Sequence, residues 1–185
     1  GRLSVVHPPW AMGIVGRKFL ILGWRGLVAM DMIEKARMEI RPYEVNEGET
    51  DEVFIQERGR IEKALAKDED LVPALEKAAE AFAAIEIDRS EKKPIIGVTG
   101  EFYVRSNAFS NENLIEQIEA LGGEVWMAPV EEWFLYRNFR RDMRAKLDGD
   151  WLLRVKNTVM DRVMKRDEHR FVEPFKDLLR NAEEP

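Results

Sequence analysis

The chain has no cysteine among its 185 residues. That absence excludes disulfides, zinc–thiolate centres and thiol nucleophiles together. Histidine is scarce: His7 lies in an extended His-Pro-Pro segment and His169 in a run of charged residues. Neither has a companion at metal-ligand spacing, and no HExxH or Ser-His-acid arrangement can be built from them. The glycine-rich phosphate loops GxGxxG and GxxxxGK[ST] are missing too, which disfavours dinucleotide and Walker-type binding. No long apolar run is present. Phe19 to Met30 is interrupted by Gly23, Arg25 and Gly26 and falls short of the roughly 20 residues a membrane helix needs. Nothing has the layout of a signal peptide, so the chain reads as cytoplasmic, with no membrane partner. Positive charge is not in surplus either. The formal net charge is −6, which argues against nucleic acid as the main partner, because phosphate binding rests on an excess of Lys and Arg.

What is there is the composition of a soluble globular protein, 45% hydrophobic and 35% charged, long enough to bury a core in one large or two small domains. The organising stretch runs from Lys93 to Trp133 and reads as strand, loop, helix, strand. Ile95-Ile96-Gly97-Val98 is too short for a helix and rich in β-branched residues. Thr99-Gly100 opens a polar loop, Ser110 or Asn111 caps the next helix, and Leu114, Ile118 and Leu121 recur at helical spacing. Gly122-Gly123 stops that helix. Glu124 to Ala128 forms a second strand, ended by Pro129. Such a βαβ unit has parallel strands and a right-handed crossover. The fold class is therefore α/β: a βαβ, Rossmann-like unit with a parallel sheet, plus a helical region, reading as an incomplete piece of a larger protein. The division expected is 1–92, mainly helical, and 93–185, centred on the βαβ unit with C-terminal helices, the charged stretch Asp88 to Lys93 marking the boundary.

Within the first part, Val5-Val6 and Phe19 to Leu22 are candidate strands, since two parallel strands are few for a sheet. Arg25 to Ile40 is helical and ends at Arg41-Pro42. Arg41 and Glu44 form either an ion-paired structural joint or an anion site. Thr50 is a plausible N-cap for a helix from Asp51 to about Lys67. Asp68-Glu69-Asp70 is an acidic break lacking the spacing of a calcium loop, and Asp70 caps a further helix carrying Leu71, Leu75, Ala78, Phe82 and Ile85. In the second part, Val130, Trp133, Phe134, Tyr136, Phe139, Met143 and Leu147 are spaced for a buried face, and Leu152, Val155, Val159 and Val163 follow. Between Glu131 and Arg166 ten cations stand against six carboxylates, an excess of four. That patch is either a solvated face or a receiver for phosphates or an acidic partner.

The loop after the first strand lies at the carboxyl edge of the sheet, where open α/β sheets bind ligands. It holds the candidate substrate-binding residues Gly100, Glu101, Tyr103, Arg105, Asn107 and Asn111. Glu101 can hydrogen-bond a ligand, act as acid or base if burial raises its pKa, or simply brace the loop. Tyr103 offers an aromatic face, Asn107 and Asn111 two amides, and Arg105 with the following helix start a hold for phosphate or carboxylate. No residue is assigned to catalysis and none to a metal.

The string GVTGEFYVRSNAFSNENLIEQIEALGGEVWMAP resembles a segment of the proteins related to 2-hydroxyacyl-CoA dehydratases and their activators, and VAMDMIEKARMEIRPYEVNEGETD also looks like that family. The likeness covers roughly Trp24 to Trp133. It implies redox chemistry on acyl-CoA thioesters, a [4Fe-4S] cluster held by cysteines, and a partner ATPase feeding in electrons. This chain departs from that pattern because it has no thiolate with which to hold a cluster. The cluster is therefore expected only in a full-length family member, and this segment serves as scaffold or substrate-side domain, without catalysis of its own. The alternative is a stand-alone module that binds a small anion or makes an oligomer, for which an exposed sheet edge would allow a homodimer.

Overall fold

The computed structural model describes residues 16–180. Val5-Val6 and His7 lie outside the described residues. The chain is mostly helical, with seven α-helices and one two-stranded parallel sheet among the described residues.

Helix α1, Arg17–Ile40, runs for 24 residues and is the spine of the molecule. The expected strand at Phe19 to Leu22 is instead its first turns. No proline interrupts the stretch up to Ile40, and among the described residues no strand lies alongside to pair with it. Gly23 and Gly26 are tolerated inside the helix, and Gly26 has a packing reason: a Cβ there would stand 2.9 Å from Leu65 Cδ2. The missing side chain lets α2, Glu49–Ala66, approach α1 closely. A 3-10 turn, Arg41–Tyr43, carries Pro42 and ends the spine.

The start of α2 differs from the expectation in an instructive way. Thr50 is fully buried and does not cap. The cap is Glu44, whose carboxylate accepts from the backbone N–H of Gly48 at 2.8 Å and of Thr50 at 2.7 Å, while Gly48 itself takes the left-handed conformation at φ +90°. A carboxylate reaching forward from the preceding loop satisfies the same orphan donors as a local Ser or Thr would, and complements the helix dipole.

Helix α3, Val72–Ala83, holds Pro73 in its first turn, and Asp70 accepts from Val72 N at 3.3 Å. Val28, Ile33 and Ala36 of α1, Phe54 and Ile61 of α2, and Leu75, Ala78 and Phe82 of α3 make one apolar core. Phe171, Val172, Phe175 and Leu179, from the far end of the chain, complete it.

Strands β1, Ile95–Val98, and β2, Glu124–Met127, pair in parallel, with Ile95 opposite Glu124 and Val98 opposite Met127. Between them come the short helix α4, Phe102–Ser106, and α5, Leu114–Ala120, so the β-α-β connection is present. Of the two expected caps for α5, Asn111 accepts from Leu114 N at 3.3 Å, whereas Ser110 donates its own N–H to Asn107. Gly122, at φ +85°, turns the chain out of α5, and Gly123 donates to Ile118 O at 3.0 Å. Met38 of α1 packs with Val98 and Val125 in a small second core.

Helices α6, Val130–Leu147, and α7, Trp151–Val172, form an antiparallel hairpin. Its expected buried faces are not buried. Trp133, Tyr136, Phe139, Met143 and Leu147 are exposed, as are Leu152, Val155, Val159 and Val163. The periodicity placed the apolar stripes correctly, but each points away from the helix it packs beside. Among the described residues no helix is long and apolar enough to cross a membrane.

Candidate functional site

Two layers of charged contacts hold the amino end of the strand pair and the end of α5 against α1. The first is a joint between α1 and the βαβ unit. Arg41 donates to both oxygens of Glu119, at 2.8 and 3.0 Å, and to Asp51 at 3.0 Å. Burial works against its charge, and Glu119 and Asp51 outweigh it, so its pKa ends above the ordinary arginine value. Desolvation likewise opposes the Asp51 carboxylate, but Arg37 and Arg41 together hold its pKa below the usual one. Of the two readings for Arg41 and Glu44, the joint is what the geometry builds, with Asp51 and Glu119 as the partners of Arg41 and Glu44 engaged in the cap.

Arg180 makes the second clamp. It donates to Glu39 at 2.8 Å and to Glu124, and Tyr43 donates its hydroxyl to the other oxygen of Glu124 at 2.8 Å. The Tyr43 hydroxyl also accepts from Lys93 N at 3.3 Å. Glu39 and Glu124 are both buried, where an unpaired carboxylate would be costly. Arg180, hydrogen-bonded first by Glu124 and then by Glu39, has its pKa pushed further above normal.

Asp31 links α1 to the hairpin. Its carboxylate accepts from Glu131 N at 2.9 Å, in the first turn of α6. Burial raises its pKa to about 6, against the lowering effect of the Glu131 and Val130 backbone N–H groups and of nearby Arg105.

Around this frame the six sequence candidates fall in different places. Gly100 has φ +142° and leaves β1 in a conformation that favours glycine. Glu101 accepts from Val104 N at 3.0 Å and so braces α4. Arg105 donates to Gly100 O at 3.5 Å and Pro129 O at 3.3 Å, tying the loop after β1 to the one after β2. Both acceptors are neutral carbonyls, and the buried Nε makes no hydrogen bond. Asn107 accepts from Ser110 N at 2.9 Å, and Asn111 donates to Arg105 O at 2.7 Å while its carbonyl caps α5. Tyr103 is exposed.

Gly100, Glu101 and Arg105 face an open cleft of about 740 Å³ that is walled by Phe102, Trp133 and Tyr136. Phe102 and Trp133 are in ring contact at 6.3 Å, and the Arg137 guanidinium lies 5.1 Å from the Trp133 ring centre. Asn111 faces a different cleft, of about 430 Å³, between α1 and β2, where Asp31, Arg41, Glu124 and Arg180 also contribute. Tyr103 and Asn107 line neither. The first cleft combines flat aromatic surface with the guanidinium of Arg105, whose hydrogen bonds are to neutral carbonyls, and with the carboxylates of Glu101 and Glu132. The aromatic surface suits a ligand with a ring, and Arg105 offers an anionic group one cationic partner.

Sequence reasoning missed Asp31, Glu39, Glu124 and Arg180. The one available signal was a charge at a position that should be apolar: Glu124 opens the strand Glu-Val-Trp-Met, and Asp31 interrupts the apolar side of α1. A buried carboxylate implies a partner, although spacing alone does not name it.

Among the described residues no group of three or more His, Asp or Glu side chains is placed to hold a metal ion, and the chain has no cysteine. The donor set therefore does not fit an iron–sulfur cluster. Compared with known proteins, the chain matches no family model, no curated protein and no solved structure.

Proposed function

We propose that this chain is a scaffold or substrate-side domain of a cytoplasmic protein related to 2-hydroxyacyl-CoA dehydratases and CoA enzyme activases, and that the Gly100–Glu101–Arg105 cleft receives the CoA portion of an acyl-CoA. On this reading the βαβ unit is a Rossmann-like piece of a larger α/β protein, and the cluster and the ATPase activator belong elsewhere in that assembly. The observation that carries it is Arg105: a guanidinium at the carboxyl edge of a parallel strand pair, bonded only to carbonyls, beside the aromatic wall of Phe102, Trp133 and Tyr136. An adenine ring can stack on that wall while a phosphate takes the guanidinium. Without thiolates the chain itself contributes binding and orientation.

The second reading, a module for a small anion without catalysis, rests on the same arginine and dispenses with the aromatic wall. Calorimetric titration with acetyl-CoA, CoA and inorganic phosphate separates the two. Under the first, CoA species bind, phosphate binds far more weakly, and both Arg105→Ala and Trp133→Ala weaken CoA roughly tenfold or more. Under the second, phosphate binds as well as CoA, and Trp133→Ala has no effect. If CoA binds and Arg105→Ala leaves its affinity untouched, the site is misplaced.

A further inference from the structure

Asn138 and Asp142, four apart on α6, share a helix face, as do Asn157 and Asp161 on α7. All four line an open cleft of about 820 Å³ that Met32 and Lys35 of α1 bound on a third side. Two of them hold a buried polar atom with no hydrogen bond. Asn157 is only 9% exposed and its Nδ2 has no acceptor. The buried Oδ1 of Asp142 has no donor, since Arg154 Nε stands 3.7 Å away. A buried donor and a buried acceptor in one cleft, not bonded to each other, each bear a desolvation cost that a ligand can relieve. Their neighbours are engaged: Asn138 Nδ2 donates to Met164 Sδ at 2.9 Å, and Lys165 pairs with Asp161 at 3.4 Å. Although residues 131–166 carry an excess of four cations, this lining is acidic. Glu131, Glu132 and Glu168 join the two aspartates there, against Lys35 and Lys165. Tyr136 and Phe139, 59 and 61% exposed, add flat ring surface to it.

We propose that this cleft binds a neutral polyhydroxyl compound, a sugar or cyclic polyol, whose hydroxyls accept from Asn157 Nδ2 and donate to Asp142 Oδ1. Chemistry selects this class by elimination. The ligand must both accept from an amide N–H and donate to a carboxylate, and a hydroxyl does both. An ammonium group has no lone pair to offer Asn157. A phosphate is repelled by a lining of five carboxylates against two lysines. A metal ion is unsuited, because among the described residues no group of three or more His, Asp or Glu side chains is placed to hold one. The aromatic rings give the apolar face of a sugar ring a surface to rest on, while the few polar groups fix its orientation. The cleft at Gly100, Glu101 and Arg105 shares Glu132 and Tyr136 with this one, but Asp142 and Asn157 line only the hairpin cleft. The two sites can therefore be tested apart.

Amide NMR titration of the full chain with glucose, N-acetylglucosamine and myo-inositol, and with spermidine and inorganic phosphate as counter-probes, tests the proposal. At least one of the polyhydroxyl compounds should shift the amides around Asn138, Asp142 and Asn157 with a dissociation constant of about 1 mM or tighter. Neither counter-probe should do so. Asn157→Leu, close to the same volume, and Asp142→Ala should each weaken that binding roughly tenfold or more, whereas Arg105→Ala should leave it unchanged. Circular dichroism reports the fold of each variant, and Asp142→Ala, at a half-buried position, keeps the test decisive if Asn157→Leu does not fold. No shift at the cleft with any polyhydroxyl compound, spermidine or phosphate binding there as tightly, binding that survives both substitutions, or binding abolished by Arg105→Ala overturns the assignment.

Discussion

The two helical regions of this molecule carry the same kind of sequence and use it in opposite ways. In α1 to α3, the apolar stripes turn inward, and Ile33, Leu75 and Phe82 are almost wholly removed from water. In α6 and α7, stripes of similar spacing turn outward, and the polar Asn138 and Asn157 share the inner side with the buried Ala145 and Met164. The difference lies in what each helix finds beside it. The first three have one another, together with Phe171 at the very end of α7 and Phe175; the rest of the hairpin meets α1 through Asp31 to Glu131 N, Arg25 to Asp167 and the Trp24–Phe134 ring contact. Periodicity identifies the greasy side of a helix. It carries no information about what covers that side.

The comparison can be broken most directly in the core. Phe82→Ala should cost about 3–5 kcal/mol through lost burial and a residual cavity, read by urea unfolding. Breaking the joint comes next: Arg41→Ala strands Glu119 and leaves Asp51 to Arg37 alone, and a loss of about 2–4 kcal/mol is expected. Hydrogen exchange would sharpen this result, because amides of α5 and β2 should exchange faster while those in the middle of α1 stay protected.

Asp31 gives a pH-dependent contrast between spine and hairpin. Its folded pKa, about 6, lies above the ordinary aspartate value of 3.8, so the folded state binds the proton more tightly than the unfolded one. The group's contribution to stability is therefore complete below about pH 3.8 and lost as pH rises through about 6, a change of about 1–3 kcal/mol. Asp31→Asn should remove that part of the slope, seen by comparing urea midpoints of the two proteins between pH 4 and 7. Gly122→Ala, which forces a side chain onto a left-handed residue, should cost about 1 kcal/mol. At the small end, Val159→Ala should change the unfolding free energy of the dilute chain by less than about 0.5 kcal/mol, against several for the same truncation in the core.

Much of the βαβ unit was legible. The run Ile95 to Val98, the stop at Gly122-Gly123 and the return at Glu124 are local signals, and each is set by propensity or turn chemistry within a few residues. Phe19 to Leu22 was not legible, because a short apolar run fits either element until its neighbours are known. The cap on α2 was misplaced on Thr50 because Glu44 reaches it from six residues upstream. Of the candidate site, the sequence located the loop, and Arg105 with Gly100 and Glu101 does face a cleft. Phe102 of the aromatic wall is next to that loop, but Trp133 and Tyr136 come from α6, about thirty residues later in the chain. Proximity of that kind is a product of tertiary folding.

The hydrogen bonds that close the molecule join distant parts of the chain: Arg25 to Asp167 spans 142 positions and Arg180 to Glu39 spans 141. A ribosome adding about 5–20 residues each second therefore delivers the spine several seconds before the segment that seals it. Throughout that interval nascent α1 keeps part of its greasy flank bare, shielded only by α2 and α3. Newly made chains should accordingly be most vulnerable to sticking, or to capture by a holdase, just before Phe171 emerges.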